Sequence, residues 1–288
     1  MEKIRRRIKT FHIVVLSILL LAFGAVLTSS IVIFKISDSM AADAKNLNTN
    51  LECSFCEETV RITIEEERAA EEAERLKKIA EAKGIIYLTF DDGPGEYTNT
   101  LLDTLKKYDV KATFFVTGNG DDAVIKREFD EGHTVALHTM SHQYAHIYAN
   151  LDNYFGDLTA VSDRVKNITG EESKILRFPG GSSNLVSKRY DHGARIMSTL
   201  SQEVEARGYH YFDWNVDSDD AGRARSADVV YNNVISRLKE GANVVLQHDV
   251  KPYSVEAVGA IIEYGLSHNF IFDKITMDTP AVHHSVNN

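Results

Sequence analysis

Two histidines in this chain are spaced so that both side chains can reach one metal ion. His138 and His142 are four residues apart in the segment HTMSH, a spacing that brings two imidazoles to the same ion. In a chain with 11 histidines, one such pair is weak support by itself. A carboxylate from the segment TFDDG, residues 89–93, is well placed to be a third ligand. Two histidines and one carboxylate leave coordination positions open, which is typical of catalytic sites.

The adjacent residues Asp91 and Asp92 cannot easily both bind the same face of one ion. One can coordinate while the other accepts a proton from water as a general base. The leaving group then needs a general acid, and His248 is the candidate. An ion of the zinc type would polarise a carbonyl and lower the pKa of bound water to about 7. Non-haem iron enzymes use the same ligand set, so the residues do not decide the metal.

An acid–base pair of this kind needs orienting partners, a cation beside the base and a carboxylate beside the imidazole. Arg177 suits the first role, and Asp217 or Asp220 suits the second. Alternatively, Arg177 and Asp220 form a buried ion pair with each other and have no catalytic role. The sequence leaves both arrangements open.

These residues follow short β-branched or aromatic runs that alternate with longer amphipathic stretches. Such repetition predicts parallel strands joined by crossover helices, with functional residues at the carboxyl ends of the strands. Periodicity alone does not separate a barrel from a doubly wound sheet. The predicted strands are residues 85–90, 112–117, 134–137, 175–178, 209–215, 243–247 and 270–273, and the predicted helices are about 98–108, 122–131, 151–169, 187–207, 227–240 and 254–268.

The charge distribution separates the N-terminus from the rest of the chain. The formal net charge is −10, which argues against a nucleic-acid partner, yet residues 1–10 hold five bases and one acid. Residues 11–34 contain no Asp, Glu, Lys or Arg, and an apolar run of this length spans a bilayer. We therefore predict a cytoplasmic tail, a single transmembrane anchor over 11–34, and an extracytoplasmic remainder. The alternative, a cleaved signal peptide, usually has a shorter apolar run.

Residues 35–84 are predicted to form an extracytoplasmic helical stalk. Residues 65–83 are rich in Ala, Glu, Lys and Arg, with opposite charges at helical spacing. Cys53 and Cys56 lie in this linker. Outside the membrane they would form a local disulfide or remain two free thiols.

The chain from 85 to 275 resembles the polysaccharide deacetylases of carbohydrate esterase family four, which share the NodB-homology fold. The resemblance implies a distorted (β/α) barrel of about seven parallel strands, followed here by a C-terminal tail over 276–288. It rests on five segments in the family's order: TFDDGP (89–94), HTMSH (138–142), RFPGG (177–181), WNVDSDDA (214–221) and LQH (246–248).

The resemblance also implies a role for each matched residue. A divalent metal, most commonly zinc, with cobalt, nickel, manganese or iron as alternatives, would be held by Asp92, His138 and His142. The catalytic residues would be Asp91 as the base, Arg177 orienting it, His248 as the acid and Asp220 tuning the acid. The residues implied at the substrate or its oxyanion are Pro179, Gly180, Trp214 and Leu246.

Two motifs depart from the family pattern near the sugar. The third motif usually has an aromatic residue after its proline, where Gly180 stands here, and the fourth usually has a Trp where Ala221 stands. Trp214, the only tryptophan, is either a core residue or partly restores the missing wall.

The implied function is hydrolysis of N-acetyl groups on N-acetylglucosamine-containing polysaccharide of the cell wall or surface, such as peptidoglycan, with release of acetate. Two alternatives remain open. One is an O-acetyl esterase that acts on a polysaccharide with the same scaffold. The other is a wall-binding module that keeps the fold and binds glycan without turnover.

Overall fold

The computed structural model describes residues 14–19 and 38–288, without the side chains of 38–59. The chain divides into two compact units, Met1–Arg75 and Leu76–Asn288. The predicted transmembrane helix over 11–34 lies mostly outside the described residues. Within the described part, no helix combines the length and the apolar character needed to cross a membrane. The anchor and its orientation therefore stay predictions.

The predicted stalk is helical over a longer range than its charged segment. Helix α1 spans Asp38–Glu81, and most of its side chains from residue 60 onward are exposed. Ion pairs one turn apart lie on this exposed surface, where each contributes about 0.3–0.5 kcal/mol. Cys53 and Cys56 lie within α1, with their side chains outside the described part.

Eight parallel strands form one sheet after α1. Their order is β5-β4-β3-β2-β1-β7-β6, and the last strand, β8, pairs with the first half of β1. The strands are β1 (Gly84–Asp91), β2 (Thr113–Val116), β3 (Thr134–Leu137), β4 (Ile175–Leu176), β5 (His210–Tyr211), β6 (Val216–Asp217), β7 (Gly241–His248) and β8 (Phe270–Phe272).

Residues 210–217 connect β5 and β6, the first and last strands in this order. β5 pairs with β4, and β6 pairs with β7. Between them, the Phe212 N–H donates to the Leu176 carbonyl and the Asn215 N–H to the Val244 carbonyl. The strand predicted over 209–215 is therefore too long: β5 covers only its start, and β6 begins just after its end, because the segment changes partners between them. The predicted α/β fold of about seven parallel strands in a barrel-like sheet is confirmed.

Helices follow the strands largely where the amphipathic pattern predicts them. The predicted helix over 187–207 begins only at Ile196, because His192, Gly193 and Arg195 adopt positive φ angles that interrupt it. Its first part is a 3₁₀ turn. The helices are α2 (Thr98–Lys107), α3 (Asp122–Asp130), α4 (Tyr144–Ile147), α5 (Leu151–Thr169), α6 (Ile196–Ala206), α7 (Ala227–Ile235) and α8 (Pro252–Ser267).

The two faces of β1 show how the sheet separates packing from chemistry. Successive side chains of a strand point to opposite faces. Ile86, Leu88 and Phe90 belong to the large apolar cluster that includes the helices. Tyr87 belongs to a second, smaller cluster on the other face. Asp91 shares this second face by the same alternation, so the inner face of the sheet ends in a carboxylate.

Candidate metal centre and active site

The carboxyl ends of neighbouring strands meet around one cleft of about 430 Å³. Asp91 at the end of β1 is the register partner of His248 at the end of β7. His138 follows β3 and Arg177 follows β4, and the Arg177 N–H donates to the carbonyl of Leu137 over 3.0 Å. The predicted placement of these residues at one edge of the sheet is confirmed.

The three predicted metal ligands lie together. Asp92, His138 and His142 each offer an atom within 4.8 Å of the others. Asp92 Oδ1 lies 3.3 Å from His142 Nε2 and 3.6 Å from His138 Nε2. Atoms about 2.0–2.2 Å from one tetrahedral ion lie about 3.3–3.6 Å apart, so these separations match such a site.

The hydrogen-bonding state of the three ligands also fits a cation. His138 Nδ1 lies 2.8 Å from the Arg177 carbonyl oxygen. Since that oxygen only accepts, Nδ1 carries the hydrogen and Nε2 keeps its lone pair for the site. Burial lowers the pKa of His138 to about 3, which keeps the ring neutral. Among the described residues, no group donates a hydrogen bond to the buried Oδ1 of Asp92. His138 Nε2 and Asp92 Oδ1 therefore present lone pairs to the site with no proton between these two atoms, as a divalent ion requires.

The loop that carries the two histidines is held by Asp157 on α5, a residue that the sequence analysis missed. Its carboxylate accepts hydrogen bonds from the backbone N–H groups of Met140 and Ser141. Thr139 and His142 have φ angles of 68° and 53°, so this loop is sharply bent. No spacing in the sequence relates Asp157 to the HTMSH segment, which is why no motif indicated it.

The loop after β1 packs against Asp249, a carboxylate next to His248 at the end of its strand, to which the sequence analysis assigned no role. The Thr98 hydroxyl donates a hydrogen bond to its carboxylate, and burial raises its pKa to about 7. A Cβ on Gly93 would lie 2.2 Å from Asp249 Oδ2. The glycine of the TFDDG segment therefore makes room for this buried carboxylate. Its position directly after His248 was the available sequence signal.

Arg177 is paired with Asp91, which is the contact that its predicted orienting role requires. The guanidinium is fully buried and donates from Nη1 to Asp91 Oδ1 over 2.7 Å and to Thr89 Oγ1 over 2.8 Å. Its other nitrogens donate to the carbonyls of Phe212 and Asp213. Burial raises the pKa of Asp91, and the Arg177 charge opposes that rise.

His248 is paired with Asp220. His248 Nδ1 lies 2.7 Å from Asp220 Oδ1, and the His248 backbone N–H donates to Asp220 Oδ2. Burial alone would lower the pKa of His248, but the Asp220 carboxylate outweighs it and raises this pKa to about 9. Burial alone would raise the pKa of Asp220, and the His248 contacts lower it. The alternative ion pair between Arg177 and Asp220 is wrong.

The residues predicted at the substrate divide into two groups. Gly180, Trp214 and Leu246 line the cleft, whereas Pro179 is buried and its carbonyl accepts a hydrogen bond from Tyr148. Trp214 is half-buried and also packs against the inner apolar cluster. The packing of Trp214 fits its interpretation as a core residue, and its role as a wall of the sugar subsite stays a prediction.

Tyr144 is a cleft residue that the sequence analysis missed. Its ring lies edge-on to His142 at 5.3 Å, and it lines the same cleft. A Cβ on Gly180 would lie 3.1 Å from the Tyr144 hydroxyl. The glycine that replaces the expected aromatic residue therefore leaves room for an aromatic ring from the start of α4. Its position two residues after His142 was the only sequence signal.

A barrel-like parallel sheet with an Asp–His–His site beside an acid and a base defines a class, the α/β proteins equipped for metal-assisted hydrolysis. A family model described as Polysaccharide deacetylase matches residues 78–195, which contain the first three motifs. The chain belongs to the polysaccharide deacetylase family.

Similar proteins agree with this assignment. A solved structure, the catalytic domain of peptidoglycan N-acetylglucosamine deacetylase from Eubacterium rectale, is 49% identical with a TM-score of 0.68, over 71% of this chain and 94% of that one. The peptidoglycan-N-acetylglucosamine deacetylase of Bacillus cereus is 36% identical over 187 residues, 62% of this chain and 64% of that protein. The chitin deacetylase of Colletotrichum lindemuthianum is 30% identical over 60% of this chain and 69% of that protein. The chain thus spans a little under two thirds of the Bacillus cereus relative.

Proposed function

We propose that this chain hydrolyses the N-acetyl groups of N-acetylglucosamine in peptidoglycan or a related surface glycan and releases acetate. The observation that carries the proposal is one cleft in which a buried carboxylate, Asp91, and a buried imidazole, His248, both face the Asp92–His138–His142 site. Relatives named as peptidoglycan N-acetylglucosamine deacetylases support the substrate class. Anchoring through residues 11–34, with the second unit outside the membrane, is part of the proposal and rests on the charge pattern.

The residues around the cleft suit the two proton transfers of amide hydrolysis. A divalent metal held by Asp92, His138 and His142 would polarise the amide carbonyl and acidify water. Asp91, fixed by Arg177, takes a proton from the water whose oxygen forms the new bond to the carbonyl carbon. His248, kept protonated by Asp220, gives a proton to the nitrogen as the carbon–nitrogen bond breaks. Free amine and acetate are the products.

The backbone N–H of Gly180 is our candidate donor to the developing oxyanion. Gly180 lies at the surface of the cleft with a φ of 76°. An N–H donor positioned before the reaction stabilises the charge that develops in the transition state. Leu246, nearly buried in the same cleft, offers an apolar surface for the acetyl methyl group.

Metal removal is expected to abolish acetate release. The full chain should release acetate from N-acetylglucosamine oligomers or peptidoglycan with a divalent metal, stop with a chelator, and recover when metal is restored. His142→Ala should weaken zinc binding at least tenfold, measured by calorimetry, because one of three ligands is lost. His210→Ala, which removes an exposed histidine on β5 away from the ligand loop, is the control. Acetate release that persists in the chelated protein would contradict the proposed site.

The Asp220–His248 pair predicts a shift in the pH profile. His248 acts as an acid only while protonated, so activity falls as pH rises through its pKa, which is raised to about 9. Asp220→Asn removes the carboxylate charge, and the basic limb of kcat/KM should move down by about 1–3 pH units. Asp228→Asn, a carboxylate change on α7, should leave the limb unchanged. An unshifted limb in Asp220→Asn would show that another group sets it.

The same cleft admits an O-acetyl esterase, and the product distinguishes the two activities. Deacetylation of nitrogen leaves an amine and that of oxygen leaves a hydroxyl. The Asp91–Arg177 and His248–Asp220 contacts favour an enzyme over a wall-binding module, because a binding site has no need of an oriented acid and base. If the Asp91→Asn variant leaves both glycan binding and the cellular phenotype unchanged, the wall-binding module would be favoured.

A further inference from the structure

The C-terminal strap, which we define as residues 282–288, is docked onto the barrel by its backbone and side chains. The Asp213 N–H donates to the Val282 carbonyl over 2.8 Å. Asn288 is buried, and its main-chain oxygen accepts hydrogen bonds from both the N–H and the hydroxyl of Ser198. Val286 packs against the large apolar cluster. The segment predicted only as a tail is therefore an integral part of the second unit.

His284 of the strap bridges two loops that reach the cleft. Its Nε2 lies 2.6 Å from the carbonyl oxygen of Trp214, and since a carbonyl only accepts, Nε2 carries the hydrogen. Its Nδ1 then accepts a hydrogen bond from the Ser183 hydroxyl over 3.1 Å. The ring thus ties the segment that carries Trp214 to the turn after the third motif.

The buried carboxylate of Asp213 makes the same connection a second time. It accepts hydrogen bonds from the backbone N–H of Ser182 over 2.8 Å and from that of His284 over 2.7 Å. The Asp213 carbonyl also accepts from Arg177. The strap, the third-motif turn and Arg177 therefore all contact Asp213, the residue directly before Trp214.

The Trp214 ring lies between the strap and the turn. His284 meets it edge-on at a centroid distance of 4.7 Å. A Cβ on Gly181 would lie 2.9 Å from the Trp214 ring, so the glycine lets the ring pack directly against the backbone of the turn. Trp214 also lines the cleft. The position of this cleft wall is thus set by contacts that include His284.

We propose that His284 is a positioning residue for substrate binding, through which the C-terminal strap fixes Trp214 as the wall of the sugar subsite. The proposal rests on the proposed function for the identity of the ligand, an N-acetylhexosamine ring. Aromatic side chains commonly supply the walls of small-molecule clefts. His284 itself touches no reacting group, so its loss should weaken glycan binding and leave the metal site intact.

The test compares His284→Ala with His283→Ala in the full chain. Both remove an imidazole that bonds a main-chain carbonyl, of Trp214 and Tyr211 respectively, but only His284 contacts the Trp214 ring. In His284→Ala, the KM for N-acetylglucosamine oligomers should rise about 3- to 10-fold, the value of a lost aromatic contact. Its kcat and zinc affinity should change less than about twofold. His284→Gln, which keeps an N–H donor, should recover part of the KM.

Tryptophan fluorescence supplies a readout that needs no turnover, because Trp214 is the only tryptophan. Acrylamide should quench its emission more strongly in His284→Ala than in wild type, and equally in His283→Ala and wild type. An unchanged KM and unchanged quenching in His284→Ala would overturn the proposal, as would equal effects of the two variants. If wild type releases no acetate from any glycan, the proposed function fails. The role of His284 is then still decided by comparing acrylamide quenching of Trp214 in His284→Ala and wild type, with and without oligomers.

Discussion

Asp91→Asn is expected to lower kcat/KM for deacetylation by about 10²- to 10⁴-fold, the usual contribution of a general base. The amide keeps the shape of the side chain and an oxygen that can accept from Arg177 Nη1, which lies 2.7 Å from Asp91 Oδ1. It cannot accept a proton. The measurement is initial-rate acetate release from N-acetylglucosamine oligomers at saturating metal.

Asp217→Asn is the matched control for this variant. Asp217 also ends a strand and lines the cleft, so the change removes the same charge from the same cleft without removing the base. We expect a loss smaller than about tenfold. Zinc affinity should be retained by Asp91→Asn, because Asp92 remains the carboxylate ligand. Comparable losses in both variants would mean that the cleft charge, and not a base at Asp91, supports catalysis.

Arg177→Met is expected to lower the free energy of unfolding by about 3–5 kcal/mol, because it leaves the Asp91 charge buried without its partner. The arginine is fully buried. Its guanidinium carbon also lies 4.1 Å from the ring centroid of Phe115. Urea unfolding followed by the fluorescence of Trp214, in the same unit, measures the change.

The double variant Arg177→Met/Asp91→Asn tests whether the uncompensated charge causes this loss. With the carboxylate neutral, the double variant should be more stable than the sum of the two single changes predicts, by about 1–3 kcal/mol. Additive losses would show that Arg177 stabilises the fold through its contacts with the Phe212 and Asp213 carbonyls instead.

The sequence predicted the residues of the site better than the residues that hold the site loops in place. Asp91, Asp92, His138, Arg177 and His248 stand at the ends of strands, and parallel strands necessarily bring such ends together. That these five residues lie close together could therefore be predicted from local sequence patterns alone. The pairing of Arg177 with Asp91, and not with Asp220, did not follow, because it depends on which side chains share the inner face.

The residues that hold the site loops act through contacts between positions distant in sequence. Asp157 holds the histidine loop from a helix and has no motif or spacing of its own. Asp249 follows His248 at the end of its strand, but no local pattern shows that it fills the space beside Gly93. The segment over 209–215 carries the apolar pattern of one strand, but the change of partner from β4 to β7 ends β5 at Tyr211 and starts β6 only at Val216. The role of residues 282–288 was missed for the same reason, since a short polar segment shows no periodicity.

The most direct test of the central claim is mass spectrometry of N-acetylated peptidoglycan fragments incubated with the full chain and zinc, together with acetate measurement. We expect one free amine on glucosamine for each acetate released, in wild type and not in Asp91→Asn. Acetate released from oxygen with every amide intact would contradict the claim. So would fragments that stay fully acetylated with every divalent metal tried.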